Sequence, residues 1–94
     1  STLYHLQLGA FRERERLVRQ WSTIAQFPGF TALSPLEATV TIEDGTRLHR
    51  LLAGPVEGYS AALRLCRSLA PEHACVVVSP VPGAAPLETG MEDG

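Results

Sequence analysis

Two polar side chains stand among apolar neighbours in segments that otherwise have the pattern of β-strands. Gln7 belongs to the run LQLGAF (6–11), and Arg50 begins the run RLLAGP (50–55). Each run passes from a strand pattern through a glycine into a helix pattern, so the chain contains two βα units of similar design. An amide and a guanidinium on neighbouring strands would share one face of a sheet and offer hydrogen-bond donors there. Because the sequence pairs no nucleophile with a patterned acid or base, this arrangement predicts a binding surface rather than an active site.

Hydrophobic periodicity predicts the elements that position this pair. Strands alternate apolar and polar residues, helices repeat apolar residues every three or four positions, and proline or glycine ends each element. The Asp44-Gly45 pair predicts a tight primed turn between two of the strands. In chain order, the predictions are a strand at 3–8, a helix that begins near 11 and ends at 27–29, strands at 38–43 and 46–53, a helix at 57–70 and a strand at 74–79.

The order β-α-β-β-α-β predicts a ferredoxin-like, two-layer α+β sandwich. Right-handed crossovers place the first and third strands at the centre of a four-stranded antiparallel sheet, with both helices on one of its faces. Gln7 and Arg50 then lie side by side on the opposite, open face. The side chains predicted to flank them there are His5, Leu48, Leu52 and Val76.

Composition limits both the domain organisation and the function class. The 94 residues allow one domain, at 1–79, whereas 80–94 is rich in Pro, Gly, Ala and acidic residues and predicts a disordered tail. The net charge of −2 argues against a nucleic-acid partner. The longest apolar run, 74–78, is too short to insert into a membrane. No metal or cofactor motif is present, so we expect a monomeric module with neither metal nor cofactor.

The two cysteines predict a disulfide. Cys66 lies on the inward stripe of the second helix, and Cys75, opposite in phase to Val76, points from the last strand toward the helices. Facing positions on a helix and on the sheet beneath it can bring two Cα atoms within the roughly 7 Å that a disulfide requires. The bond would imply an oxidising compartment. A pair of buried free thiols is the alternative.

These residues resemble the SPOR domain family, a bacterial module that binds peptidoglycan. The resemblance covers about residues 3–79 and depends on the order and spacing of several short strings rather than on any one of them. The strings are YHLQLGAF (4–11), the Asp44-Gly45 hairpin, RLLAGP (50–55), Ala62 seven residues after Pro55, and VVV (76–78).

The resemblance implies that the domain is not an enzyme and that it binds glycan strands that have lost their stem peptides. Such strands accumulate at the division septum, so the module would carry its host protein to septal or remodelling cell wall in the periplasm. Divisome proteins and wall enzymes would then be partners of the host. The family's glutamine in the first strand corresponds to Gln7 and its arginine in the third strand to Arg50.

Two positions depart from the usual family pattern. Ala10 stands where many members have a serine, so a hydroxyl donor and acceptor is lost. Leu48 stands where many members have a stacking aromatic residue. His5 or Tyr59 would supply polar or stacking contacts instead.

Two other functions use the same open face. A protein-interaction module would present Leu48, Leu52 and Val76 as an apolar patch for a partner. RNA-binding domains of the RRM type share the βαββαβ order, but they stack bases on aromatic residues of the central strands. The outward positions of the predicted central strands carry no aromatic residue here and the chain is acidic, which argues against RNA binding.

Overall fold

The described chain, residues 2–88 of a computed structural model, contains five strands and two helices. Its two helices are the amphipathic segments that the sequence predicts, each shortened by a few residues at its ends. Neither helix is long and apolar enough to cross a membrane. The elements are β1 (Leu3–Phe11), α1 (Arg14–Ile24), β2 (Ser34–Thr41), β3 (Arg47–Glu57), α2 (Tyr59–Leu69), β4 (Val76–Val78) and β5 (Ala85–Pro86).

The strands form one antiparallel sheet in the order β4-β1-β3-β2-β5. β1 and β3 lie next to each other inside the sheet, which confirms the predicted strand order for β1 to β4. The predicted count of four strands is wrong, because β5 adds a fifth strand along β2. Both edge strands are very short: β4 has three residues and β5 has two.

Both helices pack on one face of the sheet and enclose the core there. This core includes alternate residues of the central strands, such as Leu6 and Leu51, together with Leu17 of α1 and Leu69 of α2, all of them fully buried. α2 is tied to the sheet through a disulfide between Cys66 and Cys75, whose Cα atoms are 5.2 Å apart. The predicted disulfide is thereby confirmed.

β1 is longer than predicted and continues past Gly9, and its pairing with β3 is irregular at two points. The pairing with β3 shifts register between Tyr4 and Leu6 and again between Gln7 and Gly9. A bulge inserts one unpaired residue into a strand, so strict alternation of faces fails at that point. As a result, Gln7 pairs with Leu52 but Ala10, three residues later, pairs with Arg50.

The β2–β3 hairpin closes differently from the prediction. The Ile42 amide donates to the Thr46 carbonyl, and the Gly45 amide donates to the Ile42 carbonyl, so the loop has three residues. Gly45 alone in this loop has a positive φ, of 89°. This is a turn followed by a left-handed glycine, whereas a primed two-residue turn needs positive φ at both central residues.

The segment that follows β4 is ordered, contrary to prediction. We call residues 79–88 the strap: it leaves the β4 edge, forms β5 at the opposite edge and places Leu87 in the helix-side core with 9% of its surface exposed. The Leu87 amide donates to the Pro35 carbonyl at 3.0 Å, and the Arg14 side chain donates to the Glu88 carbonyl. The predicted disordered tail is therefore wrong for 80–88, and its remainder, 89–94, lies outside the described residues.

Candidate ligand-binding face

The face of the sheet away from the helices carries a polar pair at its centre. Arg50 of β3 donates from Nε and Nη2 to the Oε1 atom of Gln7 on β1, at 3.3 and 2.7 Å. Both side chains are half-buried. The two residues that the sequence predicted to lie side by side are therefore in direct contact.

This contact leaves hydrogen-bond donors available on both side chains. Gln7 uses its carbonyl oxygen as the acceptor, so its amide NH₂ group is free to donate, and so are the remaining N–H groups of Arg50. Neither side chain forms another hydrogen bond within residues 2–88. The pair can therefore bind an oxygen-rich ligand through several donors held in a fixed arrangement.

The positive charge of Arg50 is not neutralised by an acidic side chain of the described chain. Glu37 of β2 pairs with Leu51 and lies on the helix side of the sheet. There its two carboxylate oxygens bind Arg14 Nε and His49 Nδ1, each at 3.0 Å. Because Arg14 belongs to α1, these two contacts also place His49 on the helix side, away from the open face. Arg50 thus gives this open face a local positive charge in an acidic chain.

Apolar side chains surround the pair on the accessible part of the face. Val76, which pairs with Gln7 across β1 and β4, is 58% exposed, and Val40 on β2 is 37% exposed. Leu48 pairs with Val40 and is half-buried, and Ala10 is exposed opposite Arg50. Val40 was not among the predicted site residues, and its pairing with Leu48 puts it on the open face.

Two residues predicted to flank the pair are not accessible to a ligand. His5 has 7% of its surface exposed, and its Nδ1 atom accepts a hydrogen bond of 3.1 Å from the Val81 amide of the strap. Burial lowers the pKa of His5, which favours the neutral ring that an accepting Nδ1 requires. Leu52 is fully buried, although it is not part of the helix-side core. We therefore exclude both side chains as direct ligand contacts.

Other candidate residues lie away from the face. Tyr59 stacks edge-to-face on Tyr4, with ring centroids 5.7 Å apart, and Tyr4 points into the helix-side core. Within residues 2–88, no cluster of three or more His, Cys, Asp or Glu side chains could hold a metal ion. A depression of about 370 Å³ on the helix layer is lined by Pro28, Ala61, Arg64, Leu65 and Ser68.

Comparisons with known proteins identify the family. The family model described as SPOR domain matches residues 1–79. Among solved structures, the crystal structure of the RlpA SPOR domain from Pseudomonas aeruginosa is similar, with a TM-score of 0.65 and 26% sequence identity. The match covers 83% of this chain and 99% of that one. No curated protein matches the chain.

The fold and the family match agree with each other. SPOR domains are non-catalytic modules that bind peptidoglycan, and they occur in cell-wall-associated bacterial proteins. The similar structure shares the architecture of this chain, two helices and an antiparallel sheet. The chain belongs to the SPOR domain family.

Proposed function

We propose that this domain binds peptidoglycan glycan strands that have lost their stem peptides, and that it carries its host protein to septal or remodelling cell wall. Family membership supports peptidoglycan as the target. The observation that carries the finer proposal is the Gln7–Arg50 pair, which presents donors and a positive charge on the accessible part of the sheet.

Chemistry explains why such a pair would prefer stripped strands. Hydrolysis of the amide that joins a stem peptide to the muramic acid leaves a free lactyl carboxylate on the sugar. Arg50 can bind a carboxylate through charge-assisted hydrogen bonds, which are about twice as strong as neutral ones. On an intact strand the same carbonyl is part of a neutral amide, and the attached peptide occupies the space above it.

The rest of the site suits the sugars themselves. The Gln7 amide can donate to a hydroxyl or to an acetamide carbonyl, while Val76, Val40 and Leu48 offer apolar surface to the ring faces. Each neutral polar contact replaces one with water and contributes only about 1 kcal/mol. We therefore expect a dissociation constant in the micromolar range or weaker, which corresponds to a binding free energy of about −8 kcal/mol or less favourable.

A pulldown on purified cell-wall sacculi tests the proposal. Amidase-treated sacculi should retain the domain and intact sacculi should retain less. Arg50→Ala and Gln7→Ala should each lose the retention, and Arg50→Lys should keep only part of it, since lysine cannot donate as a planar fork. Arg64→Ala is the matched control, because it removes the same charge from an exposed position on α2.

The remaining expectations also belong to this proposal. The Cys66–Cys75 disulfide supports an oxidising compartment, which for a wall-binding bacterial module is the periplasm. Divisome proteins or wall enzymes would meet the domain through its host. Exposed Val76 and Val40 favour a second candidate, a protein-interaction surface. Equal failure to bind treated and intact sacculi would contradict glycan binding and favour this second candidate.

A further inference from the structure

We propose that the strap confines the bound glycan to one half of the sheet face and makes it lie across the strands. This inference rests on the proposed glycan binding and adds to it a determinant of binding mode. Beyond its first residue, Ser79, the strap lies outside the part of the chain that the family model matches. Its contacts with the sheet, its path and the burial beneath it carry the argument.

The strap crosses the open face by a direct route. Adjacent strands lie about 4.8 Å apart, so β4 and β5, at opposite edges of five strands, are separated by roughly 19 Å. The seven peptide links from Val78 to Ala85 reach at most about 25 Å. The turn closed by the Ala84 amide on the Val81 carbonyl shortens this reach further. The strap therefore has no length to go around the ends of the strands.

The hydrogen bond from the Val81 amide to His5 Nδ1 fixes the face that is crossed. His5 is on the open side of β1, above Gly54 of β3, whose added Cβ would lie 3.3 Å from His5 Cδ2. From His5 the strap continues over β3 toward Pro86, which pairs with Leu36 on β2. Leu52 lies beneath this path, between Gln7 and Leu36 in the register.

Burial divides the open face accordingly. His5 and Leu52, under the strap, are closed to solvent, whereas Val76, Ala10 and Val40 on the other half are exposed. Gln7 and Arg50 lie at the boundary between the two halves. A ligand that reaches this pair must therefore approach from the exposed half.

The orientation of the strap determines the direction of the ligand. The strap runs across the strands, so it forms a ridge along one side of the exposed half. A glycan that lay along β1 and β3 would collide with this ridge. A glycan that crosses the strands obliquely, from Val76 to Val40, runs beside the ridge and contacts the polar pair on the way. In the register Val76 is level with Leu36, and Val40 lies four residues farther along β2, so this line spans roughly 14 Å across the strands and roughly 13 Å along them.

Release of the strap in the full chain tests the inference. Leu87→Ser removes the apolar anchor from the helix-side core, and Leu87→Met is the matched control that keeps an apolar side chain of similar volume. Amide hydrogen exchange reports the release, because the Val81 and Leu87 amides both donate hydrogen bonds that hold the strap. NMR shifts on adding stripped glycan fragments of increasing length then map the contact surface.

In the wild type and in Leu87→Met, the shifts should be confined to the exposed half. In Leu87→Ser, the two strap amides should exchange faster, and the shifts should extend to His5 and Leu52. Affinity for the longer fragments should rise by about fivefold, the equivalent of one additional neutral hydrogen bond. The ratio of affinities for long and short fragments should rise with it.

Two results would overturn the inference while leaving glycan binding intact. One is a Leu87→Ser variant with fast strap exchange that binds with unchanged affinity and an unchanged contact surface. The other is a contact surface that already extends to His5 and Leu52 in the wild type, because the glycan would then not be confined by the strap. Absence of glycan binding in all three proteins would instead refute the proposed function.

Discussion

Loss of the Cys66–Cys75 disulfide should lower the stability of the domain by an amount that follows from its loop. The two cysteines are nine positions apart, so the bond closes a loop of about ten residues. In the chain-entropy relation such a loop removes about 9 cal/mol/K from the unfolded state, which is about 2.7 kcal/mol at 25 °C. For a domain of this size, the melting temperature should fall by roughly 10–20 °C.

The assay is thermal unfolding followed by circular dichroism, with and without a phosphine reductant. The reduced wild type isolates the cross-link, because both sulfur atoms remain in place. Cys66→Ala/Cys75→Ala should melt at or slightly below the reduced wild type, since Cys66 is buried and its sulfur fills space in the core. The double variant should not respond to the reductant.

The reasoning would be refuted by a reduced wild type that melts within about 3 °C of the oxidised protein. Such a result would mean that the unfolded chain is not restricted by this loop, or that strain in the folded state cancels the restriction. A double variant that still responds to the reductant would show that the reductant acts elsewhere.

Three further predictions concern positions outside the polar pair. Because burial lowers the pKa of His5 from its ordinary 6.5, the unfolded chain binds a proton more readily than the folded one. The free energy of unfolding should therefore be fully retained above pH 6.5 and fall as the pH drops below it. In urea titrations at several pH values, His5→Asn should lack this pH-dependent loss. Gly54→Ala should lower the free energy of unfolding by at least about 1 kcal/mol, because φ at this position is 143° and an added Cβ would lie 3.1 Å from the Tyr4 carbonyl oxygen of β1. Gly45→Ala should cost less, because an added Cβ at Gly45 meets no atom within 4 Å. Glu37→Gln should lower the free energy of unfolding, measured by chemical denaturation, by up to about 1 kcal/mol, because it weakens the contacts with Arg14 and His49. Glu43→Gln, on an exposed hairpin, should leave it unchanged.

Periodicity is sufficient to predict the part of the fold that carries the polar pair. Both helices have a regular apolar stripe, and the two-residue period of β3 up to Ala53 puts Arg50 on the face opposite to Leu51 and Ala53. The disulfide follows from the same phases, with Cys66 inward on α2 and Cys75 facing it. Each of these features depends on local pattern, which the sequence displays directly.

The parts that could not be predicted depend on contacts between distant segments. β5 has two residues and contains Pro86, so no alternation can reveal it. Leu87 is an isolated apolar residue in a run of small residues, and only the space in the helix-side core gives it a structural role. The bulge between Gln7 and Gly9 could not be predicted either, because strict alternation along β1 would put Ala10 on the helix side. The family resemblance alone made Ala10 a candidate site residue, and the pairing with Arg50 was not predicted.

The brevity of β4 and β5 has a consequence for how the domain behaves when many copies gather. A long, flat strand at a sheet border exposes unpaired amide and carbonyl groups, and another chain can add to it. β4 and β5 offer only three and two residues, and Pro86 lacks an amide hydrogen altogether, although they cover only residues 5–7 of β1 and 36–37 of β2. Crowded copies on one patch of wall therefore have little backbone on β4 and β5 through which their sheets could merge.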